Sequence, residues 1–237
     1  MKIFLAGAGG ANGRRLTPLL RAAGHRVTGT TRSADKADTL AKLGAEPVVV
    51  DVFDAAALAR AVKAAAPQAI IHQLTDLAFA PGSPQYQEGL ARNARLRIEG
   101  TRNLVAAARA ANVDRMVAQS IAFIYAPGKG ARVESDPLTA DPAMAGTVAA
   151  VTSLEQAVLS LREGIVLRYG YLYGPGTWFD APAKPPSLHV DAAAQAALLA
   201  LTKGKPGIYN IAEDDPGLSC EKAKRELGFD AGFRITR

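Results

Sequence analysis

The chain has a single cysteine, Cys220, among its 237 residues. One thiol builds neither a disulfide framework nor a cysteine metal cluster, and a reducing cytoplasm is the expected compartment. Histidine is nearly as scarce. His25, His72 and His189 show no ligand spacing with one another or with Cys220, so no metal site is expected. Aromatic residues make up 6% of the chain against 48 alanines, which calls for an aliphatic core. No run of about 18 apolar residues occurs, so a transmembrane helix and a membrane partner are excluded. The first apolar segment, Lys2–Ala6, meets a glycine cluster at once, which leaves no room for a signal-peptide core, and none is expected. What is present is 49% apolar and 21% charged, the balance of a globular chain. The length suits one domain over 1–237.

Charge is unevenly placed. The net value is +6, and residues 1–50 hold eight Lys/Arg against three Asp/Glu. No basic run with interleaved aromatics accompanies the excess, so nucleic acid is not expected. A small anionic ligand held by the N-terminal segment accounts for it more economically.

Short apolar runs alternate with helical stretches. Strands are expected at Lys2–Ala6, His25–Thr30, Pro47–Val50, Ala69–His72, Arg115–Ser120, Gly164–Arg168 and Ile208–Ile211. Helices are expected at Ala11–Ala23, Ala34–Leu43, Ala55–Ala66, Gln85–Ala111, Thr147–Leu161, Asp191–Thr202 and Cys220–Leu227, while 121–145 and the Gly/Pro-rich Tyr173–Leu188 read as loop. Repeated strand–helix alternation means a parallel sheet with right-handed crossovers, a doubly wound α/β fold of the Rossmann type.

The turn after the first strand reads Gly7-Ala8-Gly9-Gly10-Ala11-Asn12-Gly13, with glycines 7, 10 and 13 spaced G-x-x-G-x-x-G between a strand and a helix. That context marks a dinucleotide site: a tight turn, a close backbone approach to a pyrophosphate, close helix–strand packing, and a helix N-terminus facing the anion. The second strand ends Thr28-Gly29-Thr30-Thr31-Arg32-Ser33, with no acid before Asp35. An NAD site places a carboxylate there for the ribose 2′-hydroxyl, whereas Arg32, helped by Ser33, suits a 2′-phosphate. NADP is therefore expected over NAD.

Further motifs follow in order: Asp51-Val52-Phe53-Asp54, Ile71-His72-Gln73-Leu74-Thr75, Gly100-Thr101-Arg102-Asn103-Leu104, Val117-Ala118-Gln119-Ser120 with Ile124-Tyr125, Leu167-Arg168-Tyr169-Gly170 with Leu172-Tyr173-Gly174-Pro175-Gly176, and Leu188-His189-Val190-Asp191-Ala192. The set resembles the extended, epimerase/dehydratase-like branch of the short-chain dehydrogenase/reductase superfamily over nearly the whole chain. The resemblance implies that Asp51 and Val52 hold the adenine, that Gln73, Leu74 and Thr75 line the dinucleotide, and that the Tyr169, Gly170, Tyr171, Leu172 backbone meets the nicotinamide. It also implies a homodimer through the two long helices, for which Ala149, Ala150, Ser153 and Ala157 would supply a face of small residues.

The departures bear on chemistry. The branch uses a tyrosine and, four residues on, a lysine as its proton-transfer pair. Aligned on Glu155, Thr147 and Val151 stand at those positions, and no Y-x-x-x-K occurs anywhere. Arg97 stands where the branch has asparagine. Only 14 residues separate Gly174 from His189, so the substrate side, about 171–237, is reduced and a nucleotide-sugar substrate is not expected. The expected activity is an NADP(H)-dependent oxidoreductase on a small carbonyl or alcohol. Its non-standard proton donor would come from Tyr125, with Ser120 as helper and Thr147 third, and Arg97 is a candidate cation for lowering the tyrosine pKa. Tyr125 also reads as a packing residue. The alternative function is a non-catalytic NADP-binding sensor or scaffold.

Overall fold

The computed structural model describes residues 1–77 and 79–236. Among the described residues nine strands and eight α-helices are formed: β1 Lys2–Ala6, α1 Ala11–Ala22, β2 Arg26–Thr31, α2 Ala37–Lys42, β3 Glu46–Val49, α3 Ala55–Ala65, β4 Ala69–His72, α4 Tyr86–Arg95, α5 Thr101–Ala110, β5 Arg115–Ile121, α6 Ala145–Leu159, β6 Glu163–Tyr169, β7 Tyr171–Tyr173, β8 Ser187–His189, α7 Val190–Leu199, β9 Gly207–Ile211 and α8 Glu221–Leu227. Seven strands form one sheet in the order β3-β2-β1-β4-β5-β6-β9, every neighbouring pair parallel. The order reverses beside β1, which puts a crevice at the carboxyl ends of β1 and β4.

Burial on both faces explains why the central strands are continuously apolar. Alternate side chains of β1 feed two cores: Ile3 and Leu5 pack under α1, α7 and α8, while Phe4 and Ala6 pack with Leu58, Leu104 and Leu154 under α3, α5 and α6. Helix α7 is alanine-rich on its inner surface, with Ala192, Ala193, Ala196 and Ala197 fully buried, and it lies against α1. Asp54 caps α3 by accepting the Ala57 N–H at 2.9 Å.

The Rossmann-type reading is correct, with three local differences. Residues 34–36 form a 3₁₀ turn before the short α2. The expected helix at Gln85–Ala111 is interrupted at Leu96–Gly100 by a π-helical turn; an inserted residue there leaves helix propensity unchanged, so periodicity alone does not reveal it. Inside the Gly/Pro-rich stretch, β7 and β8 pair as a small second parallel sheet. The small-residue stripe is not one outward face: Ala149 is exposed, Ala150 is fully buried, and Ala157 packs on the core. No helix among the described residues is long and apolar enough to cross a membrane.

His72 ends β4 in the interior. Its Nδ1 accepts the Leu74 N–H at 3.2 Å, so the ring proton sits on Nε2, which donates to Thr101 Oγ1 at 3.0 Å. Only the neutral ring satisfies both bonds. Burial first, and the Arg97 charge second, push its pKa down from 6.5 to about 4. Between those values the unfolded chain binds more protons than the folded one, so the stability His72 contributes is present above pH 6.5 and is lost as pH falls toward 4. The stability difference between wild type and His72→Gln, read by urea denaturation, should shrink over that window. A difference constant with pH would contradict the assignment.

Candidate functional site

The glycine turn is shaped for an anion. Gly7 holds φ at +92°, and a Cβ there would lie 2.7 Å from the Gln73 carbonyl group. At Gly13 a Cβ would meet the Gly7 oxygen at 2.2 Å, so α1 packs directly on the turn. Above Gly9 nothing lies within 4 Å of a built Cβ, which leaves open room against bare backbone. Gly10 caps α1 without a side-chain bond, and the first turn carries no acid. The leading N–H groups and the positive helix end therefore face that room, and a pyrophosphate fits it. Asn12 reinforces the turn by donating to Gln73 Oε1 at 2.7 Å, while its own buried Oδ1 has no partner among the described residues.

The other expected cofactor residues lie along the same carboxyl edge. Arg32 follows β2, is largely exposed, and places Nη1 3.8 Å from Asp76 Oδ2. Asp76 follows β4 and also pairs with Arg92 at 3.3 Å, so the Arg32 contact reaches across the end of β1. Ser33 is fixed by its N–H to Thr31 Oγ1 at 3.2 Å. Asp51 closes the turn after β3 through the Phe53 N–H, and Val52 is held by Asn103, which donates to its carbonyl at 2.9 Å. Gln73, Leu74 and Thr75 leave β4. Tyr169, Gly170, Tyr171 and Leu172 form the β6–β7 junction, where a Cβ on Gly170 would meet the Pro186 oxygen at 2.6 Å. One residue escaped sequence reading: Arg14 lays its guanidinium over the turn, Nε donating to the Gly9 carbonyl at 2.9 Å. Its signal was a base directly after the last glycine.

The three candidate proton donors are not gathered at one point. Ser120, at the end of β5, donates to Glu155 Oε1 at 2.7 Å. Glu155, on α6, is clasped by Arg168 of β6 through Nε at 2.8 Å and Nη2 at 2.7 Å, all of it buried. Arg168 Nη1 donates to the Tyr125 hydroxyl at 2.7 Å, and that hydroxyl donates to Asn210 Oδ1 of β9 at 2.6 Å. The Arg168 guanidinium also lies 5.0 Å from the Tyr125 ring centre. Both polar functions of the phenol are engaged, and burial raises its pKa despite the neighbouring Arg168. Arg97 is not among the charges that act on it. Thr147 is half-buried on the first turn of α6 and makes no hydrogen bond among the described residues; Val151, one turn on, is fully buried.

Around this edge stand rings and cations. Phe123, just beyond β5, stacks on Tyr171 at 3.7 Å with an 11° interplanar angle, and Lys184 Nζ sits 4.1 Å from the Tyr171 ring centre. Trp178 meets Tyr86 edge-on at 6.2 Å, and Gly176 in the same loop passes over Ala11 of the glycine turn. His189 is structural, as expected: its Nδ1 accepts the Asp191 N–H and caps α7.

A family model described as NAD dependent epimerase/dehydratase matches residues 3–187. The chain is 41% identical over 240 residues to a protein of Streptomyces sp named 3-diazoavenalumate denitrifying reductase, covering 91% of this chain and 77% of that one. Among solved structures it resembles the UDP-glucose 4-epimerase of Thermotoga maritima, with a TM-score of 0.76, 19% identity, and coverage of 99% of this chain and 94% of that one. It also resembles the Thermus thermophilus UDP-glucose 4-epimerase complexed with NAD, at 0.75, 20%, 99% and 95%.

The Glu155–Arg168 pair should be a folding determinant. Glu155→Leu leaves a buried guanidinium unpaired and should cost about 3–5 kcal/mol, whereas Glu155→Leu with Arg168→Met should recover much of the loss. Urea denaturation of both variants checks this; a double variant as unstable as the single one would refute it.

Proposed function

Because the chain belongs to the NAD-dependent epimerase/dehydratase family, we propose that it is an NADP(H)-dependent reductase acting on a small aromatic acid that carries a diazo group. The Gly7–Gly13 turn, with Gly9, Gly10, Ala11 and Asn12 at its open face, would hold the pyrophosphate. Arg32 and Ser33, with Arg14 across the turn, would hold the 2′-phosphate. Asp51 and Val52 would flank the adenine, Gln73, Leu74 and Thr75 would line the groove, and the Tyr169–Leu172 backbone would meet the nicotinamide. When bound, the reduced nicotinamide supplies hydride.

The observation that carries the substrate class is that none of the three expected proton donors is a free, suitable acid. Hydride delivery to a carbonyl leaves an alkoxide that needs a proton donor within about 3 Å. Here Ser120 is spent on Glu155 and Tyr125 on Asn210 and Arg168, while Thr147 is too weakly acidic and Val151 offers no charge. Tyr125, ranked first from sequence, is accordingly assigned a packing role. An arenediazonium removes the need for an acid: it is cationic, and on accepting hydride it becomes the arene and N₂, with charge and atoms balanced and no proton consumed. The Streptomyces relative is named a 3-diazoavenalumate denitrifying reductase, a name that points to a diazo-bearing carboxylate. Alkyl diazonium ions lose N₂ unaided, so an enzyme's diazonium substrate is aromatic. The Phe123, Tyr171 and Trp178 rings at the cleft suit one.

With 4-carboxybenzenediazonium, NADPH oxidation above the enzyme-free blank should match N₂ release one to one. Tyr125→Phe should hold turnover within about threefold of wild type, as expected for a group that is not the acid. No enzyme-dependent NADPH oxidation would remove the substrate class and favour a non-catalytic binding module.

The 2′-phosphate assignment has its own test. A charge-assisted contact is worth about 1.5–3 kcal/mol, so Arg32→Ala should weaken NADPH binding roughly tenfold to a hundredfold and leave NADH nearly unchanged. Equal affinity of the wild type for both nucleotides would remove the NADP preference.

A further inference from the structure

An ion pair that the glycine turn does not require crosses the mouth of the crevice. Arg32 leaves β2 and Asp76 leaves β4, the two strands that flank β1, so their contact passes over the end of β1 where the glycine turn begins. The two partners are held very differently. The Asp76 side chain is only 14% exposed, and Arg92 of α4 donates Nε to its Oδ2 at 3.3 Å. Its backbone N–H donates to Oδ1 of the buried Asn93 at 3.0 Å. Arg92 is in turn fixed by Glu88, one turn earlier on α4, at 2.7 Å. The Arg32 side chain is 61% exposed and reaches the same Asp76 oxygen only at 3.8 Å. It makes no hydrogen bond among the described residues.

At 3.8 Å the Arg32 contact is charge attraction beyond hydrogen-bond length. An exposed pair of this kind is worth little in water and is readily exchanged. Arg32 is the partner free to turn, because Asp76 keeps Arg92 and Asn93 whichever way Arg32 points. The end of β2 supplies no carboxylate of its own before Asp35, so the acid that meets the Arg32 guanidinium comes from the far side of β1. A carboxylate and a phosphate are alternative partners for one guanidinium fork.

We propose that Asp76 is a positioning residue for cofactor choice: its carboxylate holds Arg32 over the crevice when no 2′-phosphate is present, and competes with the 2′-phosphate for it. This rests on the reading of Arg32 as the 2′-phosphate ligand, and its consequence runs opposite to that of Arg32 itself. Removing the Asp76 charge releases the guanidinium, so a phosphorylated dinucleotide gains affinity. An unphosphorylated one, which asks nothing of Arg32, does not. Asp76 thus limits how tightly NADPH is kept and eases exchange of the spent nucleotide.

Fluorescence titration of the full chain with NADPH and with NADH tests this. Asp76→Asn keeps the size of the side chain without its charge, and should tighten NADPH binding about twofold to fivefold while leaving NADH unchanged. Asp76→Glu, which keeps the charge, should restore the wild-type ratio of the two affinities. In an Arg32→Ala background Asp76→Asn should give no gain, since the competition acts through Arg32. Should Asp76→Asn not fold, Asp76→Ala reads the same ratio. Equal weakening of both nucleotides would mark a structural role, and weakening of NADH alone would make Asp76 an acid for the ribose hydroxyls. A gain that persists without Arg32 would come from Arg92 or from charge alone. Each of these results overturns the proposal, as does an unchanged ratio. The reading of Arg32 is separable: an NADPH preference lost in Arg32→Ala but untouched by Asp76→Asn keeps that reading and removes this one, whereas a wild type indifferent to the 2′-phosphate removes both.

Discussion

The buried Arg168–Glu155 pair is the constraint on which the substrate side of the molecule depends. It joins β6 to α6, and through Ser120, Tyr125 and Asn210 it reaches β5, the following loop and β9. Burying two ions is costly, and burial pulls against the Arg168 charge; the bidentate bonds to Glu155 outweigh that and hold its pKa above the ordinary value. A pair of this kind is a poor source of net stability but a strict specifier of geometry, because neither partner tolerates loss of the other. Its consequence is that the Ser120 and Tyr125 hydroxyls, two of the expected proton donors, both donate within the network.

The sheet and the turn after its first strand were legible because their signals are local. A central strand of a parallel sheet is a short apolar run, and Ala69–His72 is buried at every position. The glycine turn is legible for the same reason: Gly7 and Gly13 are each required by contacts with residues of the turn itself or of the adjacent strand end. The engaged hydroxyls were not legible. Ser120 and Glu155 are 35 residues apart, and Tyr125 and Asn210 are 85 apart, so no spacing rule links them. From sequence, Tyr125 had only a position near the correct edge, and position alone favours packing over catalysis. The π-helical turn was hidden for another reason: one extra residue in a helix changes neither composition nor propensity.

The N-terminal charge excess also takes a physical place. Arg14 and Arg32 flank the glycine turn from its two sides, one bonded to the turn and one extended over the end of β1 toward Asp76. Asp76 is shared with Arg92, so it keeps a partner if Arg32 turns toward a phosphate. An arginine held loosely by a shared carboxylate 3.8 Å away gives up little when it turns to a doubly charged group.

Two replacements on facing elements then make a single argument. Relative to the pattern this chain resembles, α6 has exchanged a charged position for the buried Val151, and the π turn opposite has exchanged an amide for Arg97. A positive charge is still present, on the π turn packed against α6 rather than on α6 itself. A tyrosine acid requires a cation beside it, and without the acid that cation has no function on α6. A substrate that arrives already electrophilic needs orientation rather than protonation. An edge whose expected donors are spent on internal hydrogen bonds would suit holding such a substrate in place better than stabilising an alkoxide.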